Sequence, residues 1–152
     1  MSDYPANEHA ERTILGAALL DNECLKQAST SLYLNDWSLE SHRIIWHAMC
    51  CLSKWDIAVD TVTLAEELDG NKLLISVGGR PYLFSLTEGL PRRPAIKDYV
   101  KIVKGKSLQR QLIQACEAAV ASAYDGKSGM EIIAELRAKC DEIEAQAKGK
   151  RA

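Results

Sequence analysis

Apolar residues recur along this chain at steps of three and four, almost from end to end, which is the signature of amphipathic helices. Ile14, Leu15, Ala18 and Leu19 mark a first helix. Asn7, directly after the helix-hostile Pro5, is its expected N-cap. A short second helix is predicted over about 22–31, followed by an irregular link from Leu32 to Trp37. Ser38 is the expected cap of a third helix, whose apolar face is Ile44, Ile45, Ala48, Met49 and Leu52. Asp60 or Thr61 caps a fourth, which turns Val62, Leu64, Ala65 and Leu68 inward. Gly78-Gly79 then breaks the chain before a short helix through Tyr82, Leu83 and Leu86. Ile57-Ala58-Val59 is the nearest approach to a strand and is too short to build a sheet.

The texture changes at Pro94, the last proline. Tyr99, Val100, Val103, Leu112, Cys116, Ala119, Val120 and Ala123 mark one face of a long helix. Gly105 interrupts it at a cost of about 1 kcal/mol relative to alanine. Asp125-Gly126 is a stop signal, and Ser128-Gly129-Met130-Glu131 matches a capping box. In the last helix Ile133, Leu136, Cys140, Ile143 and Ala147 recur at alternating steps of three and four, an a/d seam. The expected fold is all-α: a globular head over residues 7–92 and a protruding antiparallel hairpin over 93–147. Residues 1–6 are expected to be disordered, and 148–152 to be a frayed tail or the start of a linker. The hairpin surface expected to pair with another subunit comprises Leu112, Cys116, Val120, Ile133, Leu136, Cys140 and Ile143. Ile102, Leu108, Ile113 and Ile132 are expected to lie outside the seam.

Charge adds a division that hydropathy does not show. Residues 1–76 carry 5 basic and 12 acidic side chains, while residues 77–152 carry 14 basic and 9 acidic ones, so a net charge of −2 conceals opposite halves. Arg92, Arg93, Lys97, Lys101, Lys104, Lys106 and Arg110 face a single acid, Asp98. Arg93, Lys97, Lys101 and Lys104 are spaced to lie along one helical face, open to DNA phosphates or to an acidic partner surface. Tyr99 alone stands nearby, so no base-stacking platform is implied.

Candidate chemistry is thin. The five cysteines (24, 50, 51, 116 and 140) contain no Cys-x-x-Cys pair and read as buried, reduced thiols. His42 and His47 have the wrong spacing for two ligands on one helical face, so no metal site is expected. Gly126-Lys127-Ser128 lacks the earlier glycine of a P-loop and reads as a helix cap. No catalytic residue is expected, and no cofactor. The longest apolar run is far too short to span a bilayer and no basic leader precedes it, so a cytoplasmic protein without membrane contact is expected.

Several segments, taken in order, resemble a known family. They are Pro5-Ala6-Asn7-Glu8-His9-Ala10-Glu11-Arg12-Thr13-Ile14-Leu15-Gly16, Asp36-Trp37, His42-Arg43-Ile44-Ile45-Trp46, Ile57 to Leu68, Val77-Gly78-Gly79 with Tyr82-Leu83, and Tyr99, Val103 and Arg110 on the long helix. Together they resemble the N-terminal domain of DnaB-family replicative DNA helicases, with His9 in place of an acid and Trp37 in place of the commoner phenylalanine. The resemblance implies a non-catalytic collar domain. Hairpins would pair subunits into dimers or a trimer of dimers, and the collar would dock the C-terminal domain of primase during DNA replication. A helicase loader, or single-stranded DNA passing through the collar, are further partners it implies. ATP and Mg would belong to a separate RecA-like motor. Two other readings fit the residues: a stand-alone phage- or plasmid-type collar mimic that regulates a host helicase, and a nucleic-acid-binding module that uses the basic stripe.

Overall fold

The computed structural model describes residues 3–149. Every regular element among them is helical: α1 (Glu8–Leu20), α2 (Asn22–Ser29), α3 (Glu40–Lys54), α4 (Thr61–Gly70), α5 (Gly79–Ser85), α6 (Lys97–Tyr124) and α7 (Gly129–Ala147). Single 3-10 turns at Leu34–Asp36 and Ile75–Val77 punctuate the links. The chain divides into two compact units, Ala6–Val103 and a second made of residues 3–5 with 104–149. The division falls inside α6, not at the composition change near Arg92 and Arg93.

In the first unit α1 packs on α2 and α3, and α4 packs on α3 and α5. Ile14, Leu15, Leu25, Trp37, Ile45, Met49, Leu64, Leu68, Leu83 and Ile96 form its fully buried centre. Asn7 caps α1 as expected, its side chain accepting from the Ala10 amide at 2.9 Å. Asp60 caps α4 through the amides of Val62 and Thr63, and Thr63 Oγ1 accepts from the Asp60 amide in return. The cap of α3 differs from expectation. Leu39 occupies that position without a side-chain bond, because Ser38 is drawn to a buried carboxylate instead. Val62 is also 63% exposed and faces away from the core.

The strand-like segment Ile57–Val59 finds an unusual partner. The amide of Asn22 donates to the Val59 carbonyl at 2.8 Å and accepts from the Val59 N–H at 3.0 Å. One side chain thus supplies the pairing that a neighbouring strand would give, so both buried backbone groups are satisfied without a sheet. Gly78 and Gly79 take positive φ of 110° and 70° and turn the chain into α5.

In the second unit α6 and α7 are joined by the turn 125–128, with Gly126 at φ 86°. That is a helical hairpin. Ser128 is the N-cap of α7, but its side chain makes no capping bond, so the expected capping box is not formed. Lys127 instead reaches Glu135 at 2.5 Å. Disorder over residues 1–6 is not what the structure places at Tyr4 and Pro5. The Tyr4 hydroxyl donates to Glu117 at 2.6 Å, and Arg110 donates to the Pro5 carbonyl at 2.9 Å. Met1, Ser2 and the tail 150–152 lie outside the described residues.

Candidate interaction surfaces and a buried polar network

Three polar side chains meet at the centre of the first unit. Glu11 on α1 accepts from His42 Nδ1 on α3 at 2.8 Å, and His42 Nε2 lies 2.6 Å from the Tyr82 hydroxyl on α5. Ser38 completes the carboxylate's shell through its backbone N–H and its hydroxyl, the latter at 2.6 Å. A carboxylate can only accept, so Nδ1 carries the proton that faces it. Burial pushes the Glu11 carboxyl up, but the bonds from His42 and Ser38 and the attraction of His42 outweigh it, and the net shift is downward. Tyr82 is pushed up, first by burial, against the opposing pull of Arg12, whose guanidinium lies 5.1 Å over its ring.

This Glu–His–Tyr order has the look of a proton relay. Its position argues otherwise, because Glu11 and His42 are sealed from solvent and no substrate can reach them. The network holds three helices in register. Its residues belong to two of the segments noted in the sequence and to Tyr82-Leu83, but their convergence on one point could not be read from spacing. Among the described residues no group of three potential metal ligands comes together. No helix among them is long and apolar enough to cross a membrane.

The hairpin sorts its residues in an unexpected way. From Leu112 onward the covered positions of α6 are Ala115, Ala119 and Ser122, all small, whereas Val103, Ser107 and Arg110 are buried nearer its start. The large apolar residues point the other way: Leu112, Ile113, Cys116 and Val120, with Glu117 and Ala121, line an open groove of about 510 Å³. On α7, Leu136 and Cys140 are half-buried and Ile143 is buried, whereas Ile133 is 50% exposed and Ile132 takes the covered place. Leu108, expected outside the seam, is half-buried, while Ile102 and Ile113 are exposed. Tyr124 and Met130 are bare at the turn. The residues proposed for subunit pairing therefore fall into two sets. Leu112, Cys116, Val120 and Ile133 are open, and Leu136, Cys140 and Ile143 are covered.

The cysteines are not uniformly buried. All five are free, with Cys24 buried, Cys50, Cys51 and Cys140 half-buried, and Cys116 exposed on the α6 groove. Burial pushes the Cys50 thiol up to about 11, with a contribution from Cys51.

The basic stripe is also rearranged. Lys97 and Lys101 are exposed one turn apart on α6, but Arg92 and Arg93 lie in a bend before the helix. Pro94 is the reason, since it disfavours helical backbone at the residue before it. Lys104 is half-buried and engaged.

Comparison with known proteins agrees with this architecture. Residues 3–105 match the family model described as DnaB-like helicase N terminal domain. The replicative DNA helicase DnaC of Bacillus subtilis is 35% identical over 127 residues, covering 84% of this chain and 28% of that protein. The replicative DNA helicase DnaB of Geobacillus stearothermophilus is 31% identical over 129 residues, with 85% and 28% covered. The chain thus spans little more than a quarter of the length of these relatives. The crystal structure of the N-terminal domain of DnaB helicase from Mycobacterium tuberculosis superposes with a TM-score of 0.83 at 30% identity, covering 89% of this chain and 96% of that one. With matching segments in order, a matching all-helical fold and relatives of this kind, the chain belongs to the family of DnaB-like helicase N-terminal domains.

Proposed function

We propose that this domain is a scaffold within a replicative helicase: it associates with further copies of itself through the hairpin to build a collar, and it docks the C-terminal domain of primase. ATP turnover and unwinding are the work of a separate motor. One observation carries the association half. From Leu112 onward, helix α6 covers only small residues and exposes its large apolar ones, an arrangement that raises the free energy of an isolated chain and is relieved when a second surface covers the groove. The docking half rests on kinship with the family alone.

Sedimentation velocity over a range of concentrations tests association. A dimer or larger species is expected, shifting to monomer in Leu112→Asp/Val120→Asp with unchanged helicity; a wild-type chain that stays monomeric at high concentration overturns hairpin pairing. Docking is tested separately, by titrating the cognate primase C-terminal domain against the chain. Absence of a complex removes that role.

A further inference from the structure

The first unit contains a pocket of about 340 Å³ whose lining residues all lie between 34 and 73. It opens between α3 and the last turn of α4. Its apolar lining is Ile44, Ala48, Leu68 and Leu73, with Ala48 and Leu68 buried, and Leu34 stands 45% exposed beside them. A volume of this size falls at the small end of the range for small-molecule sites, about 300–1,000 Å³. The polar side chains that share the pocket say what such a molecule must carry.

Arg43 does not offer its charge to the pocket. Its Nε and one terminal nitrogen donate to Glu40, at 3.1 and 2.7 Å, and the other donates to the Trp37 carbonyl at 2.8 Å. Glu67 is in the opposite position. Its carboxylate accepts from the Asn71 amide at 3.2 Å, and among the described residues no cation pairs with it. That bond and one to the Glu67 carbonyl engage the Asn71 nitrogen, so its amide oxygen is left as an acceptor. Cys51 closes the wall, its sulfur 3.8 Å from both imidazole nitrogens of His47.

Backbone electrostatics point the same way. Cations are favoured at a helix C-terminus, yet the last turn of α4 carries no basic residue. Lys72 follows that turn but is exposed and does not line the pocket. An unpaired carboxylate, an acceptor oxygen and the negative end of a helix thus stand beside an apolar surface. We propose that this pocket binds a primary ammonium carried on an apolar chain. The ammonium, with its three donors, bonds Glu67 and Asn71, and the chain lies on Ile44, Ala48, Leu68 and Leu73. A free aliphatic amine and a lysine side chain of a peptide share this chemistry. The site is independent of the collar reading and would be filled in a monomer as well.

The test is protection of Cys51 in the full 152-residue chain against methyl methanethiosulfonate, a small neutral thiol reagent. Mass spectrometry reads the modification, with peptide fragmentation to separate Cys51 from Cys50. n-Hexylamine should slow the reaction saturably, with half-protection on the order of a few millimolar. n-Hexanol, the same chain without charge, should need about tenfold more, and hexanoate should give no protection. Glu67→Gln keeps an acceptor for Asn71 and should erase that preference. Glu66→Gln, which removes the neighbouring carboxylate outside the pocket, should preserve it. Equal protection by amine and alcohol overturns the proposal, as does a preference that survives Glu67→Gln or is lost equally in Glu66→Gln. N-acetyl-leucyl-lysinamide distinguishes the sources. Half-protection at a concentration about tenfold or more below that of hexylamine assigns the site to a peptide lysine, and any higher value assigns it to a free amine.

Discussion

Gly16 lies directly against the carbonyl of Leu86: a Cβ at that position would come within 1.9 Å of the oxygen and 2.7 Å of the Leu90 side chain. Helix α1 therefore meets the end of α5 backbone to backbone, and the aliphatic-Leu-Gly sequence at residues 14–16 has a steric cause. The atom struck belongs to the main chain and cannot rotate away. Gly16→Ala should cost about 3 kcal/mol, the upper part of the overpacking range, and lower the thermal midpoint by roughly 9 °C.

Gly105 makes the opposite case. It is an interior position of α6, and a Cβ there meets nothing within 4 Å. Gly105→Ala should stabilise the chain by about 1 kcal/mol, since only the conformational freedom of glycine is lost. Denaturant titration of the two glycine variants side by side would show opposite signs.

Glu11 sets an acid limit. Its carboxyl is held below the ordinary glutamate value of about 4.3, so its charged form contributes stability above that pH and the contribution is lost as pH falls through the depressed value. Glu11→Gln should cost about 1.5–3 kcal/mol at pH 7, the range for hydrogen bonds to a charged group. The gap between wild type and variant should close in strongly acidic buffer. A gap independent of pH would show that shape, not charge, is what Glu11 supplies.

Trp37 is sealed in the core, 5.1 Å from the Trp46 ring, and its indole N–H has no acceptor among the described residues. A buried donor without a partner costs about 1–3 kcal/mol. Trp37→Phe removes that donor along with part of the ring, and the two effects oppose one another. The change should fall well short of the 3–5 kcal/mol typical of truncation to alanine.

Thiol labelling at neutral pH should rank the cysteines. Cys116, open on the α6 groove, should react first with Ellman's reagent, while buried Cys24 and Cys50, with its thiol raised to about 11, should lag behind. If copies pair through that groove, the Cys116 rate should fall as protein concentration rises.

The helices and most of the head's core were legible from spacing because burial there follows the 3.6-residue period. Asn7 is legible as a cap, and Asp60 as one of two candidates beside Thr61, by chemistry that acts within three residues. Ser38 did not, since the carboxylate that captures it is 27 residues away in sequence. On the hairpin, Ile132 and Ile133 offer two equally apolar neighbours, and periodicity could not choose between them. The preference for covering Ala115 over Leu112 was illegible for a related reason. Hydrophobicity ranks residues by how much they gain from burial, whereas a helix pair can place only what fits. Arg93 has helical spacing relative to Lys97, but the proline that follows it holds it off the helix.

The contact among Glu11, His42 and Tyr82 has a bearing on how the head finds a single arrangement. Aliphatic side chains tolerate sliding, and α1, α3 and α5 could be stacked in several near-equivalent ways if oil-like contacts were all that joined them. A wrong stacking would leave an ionised carboxylate shut in a dry interior, a penalty of several kcal/mol. The trio works like the tumblers of a lock: it adds little grip when aligned, and every misaligned position is refused.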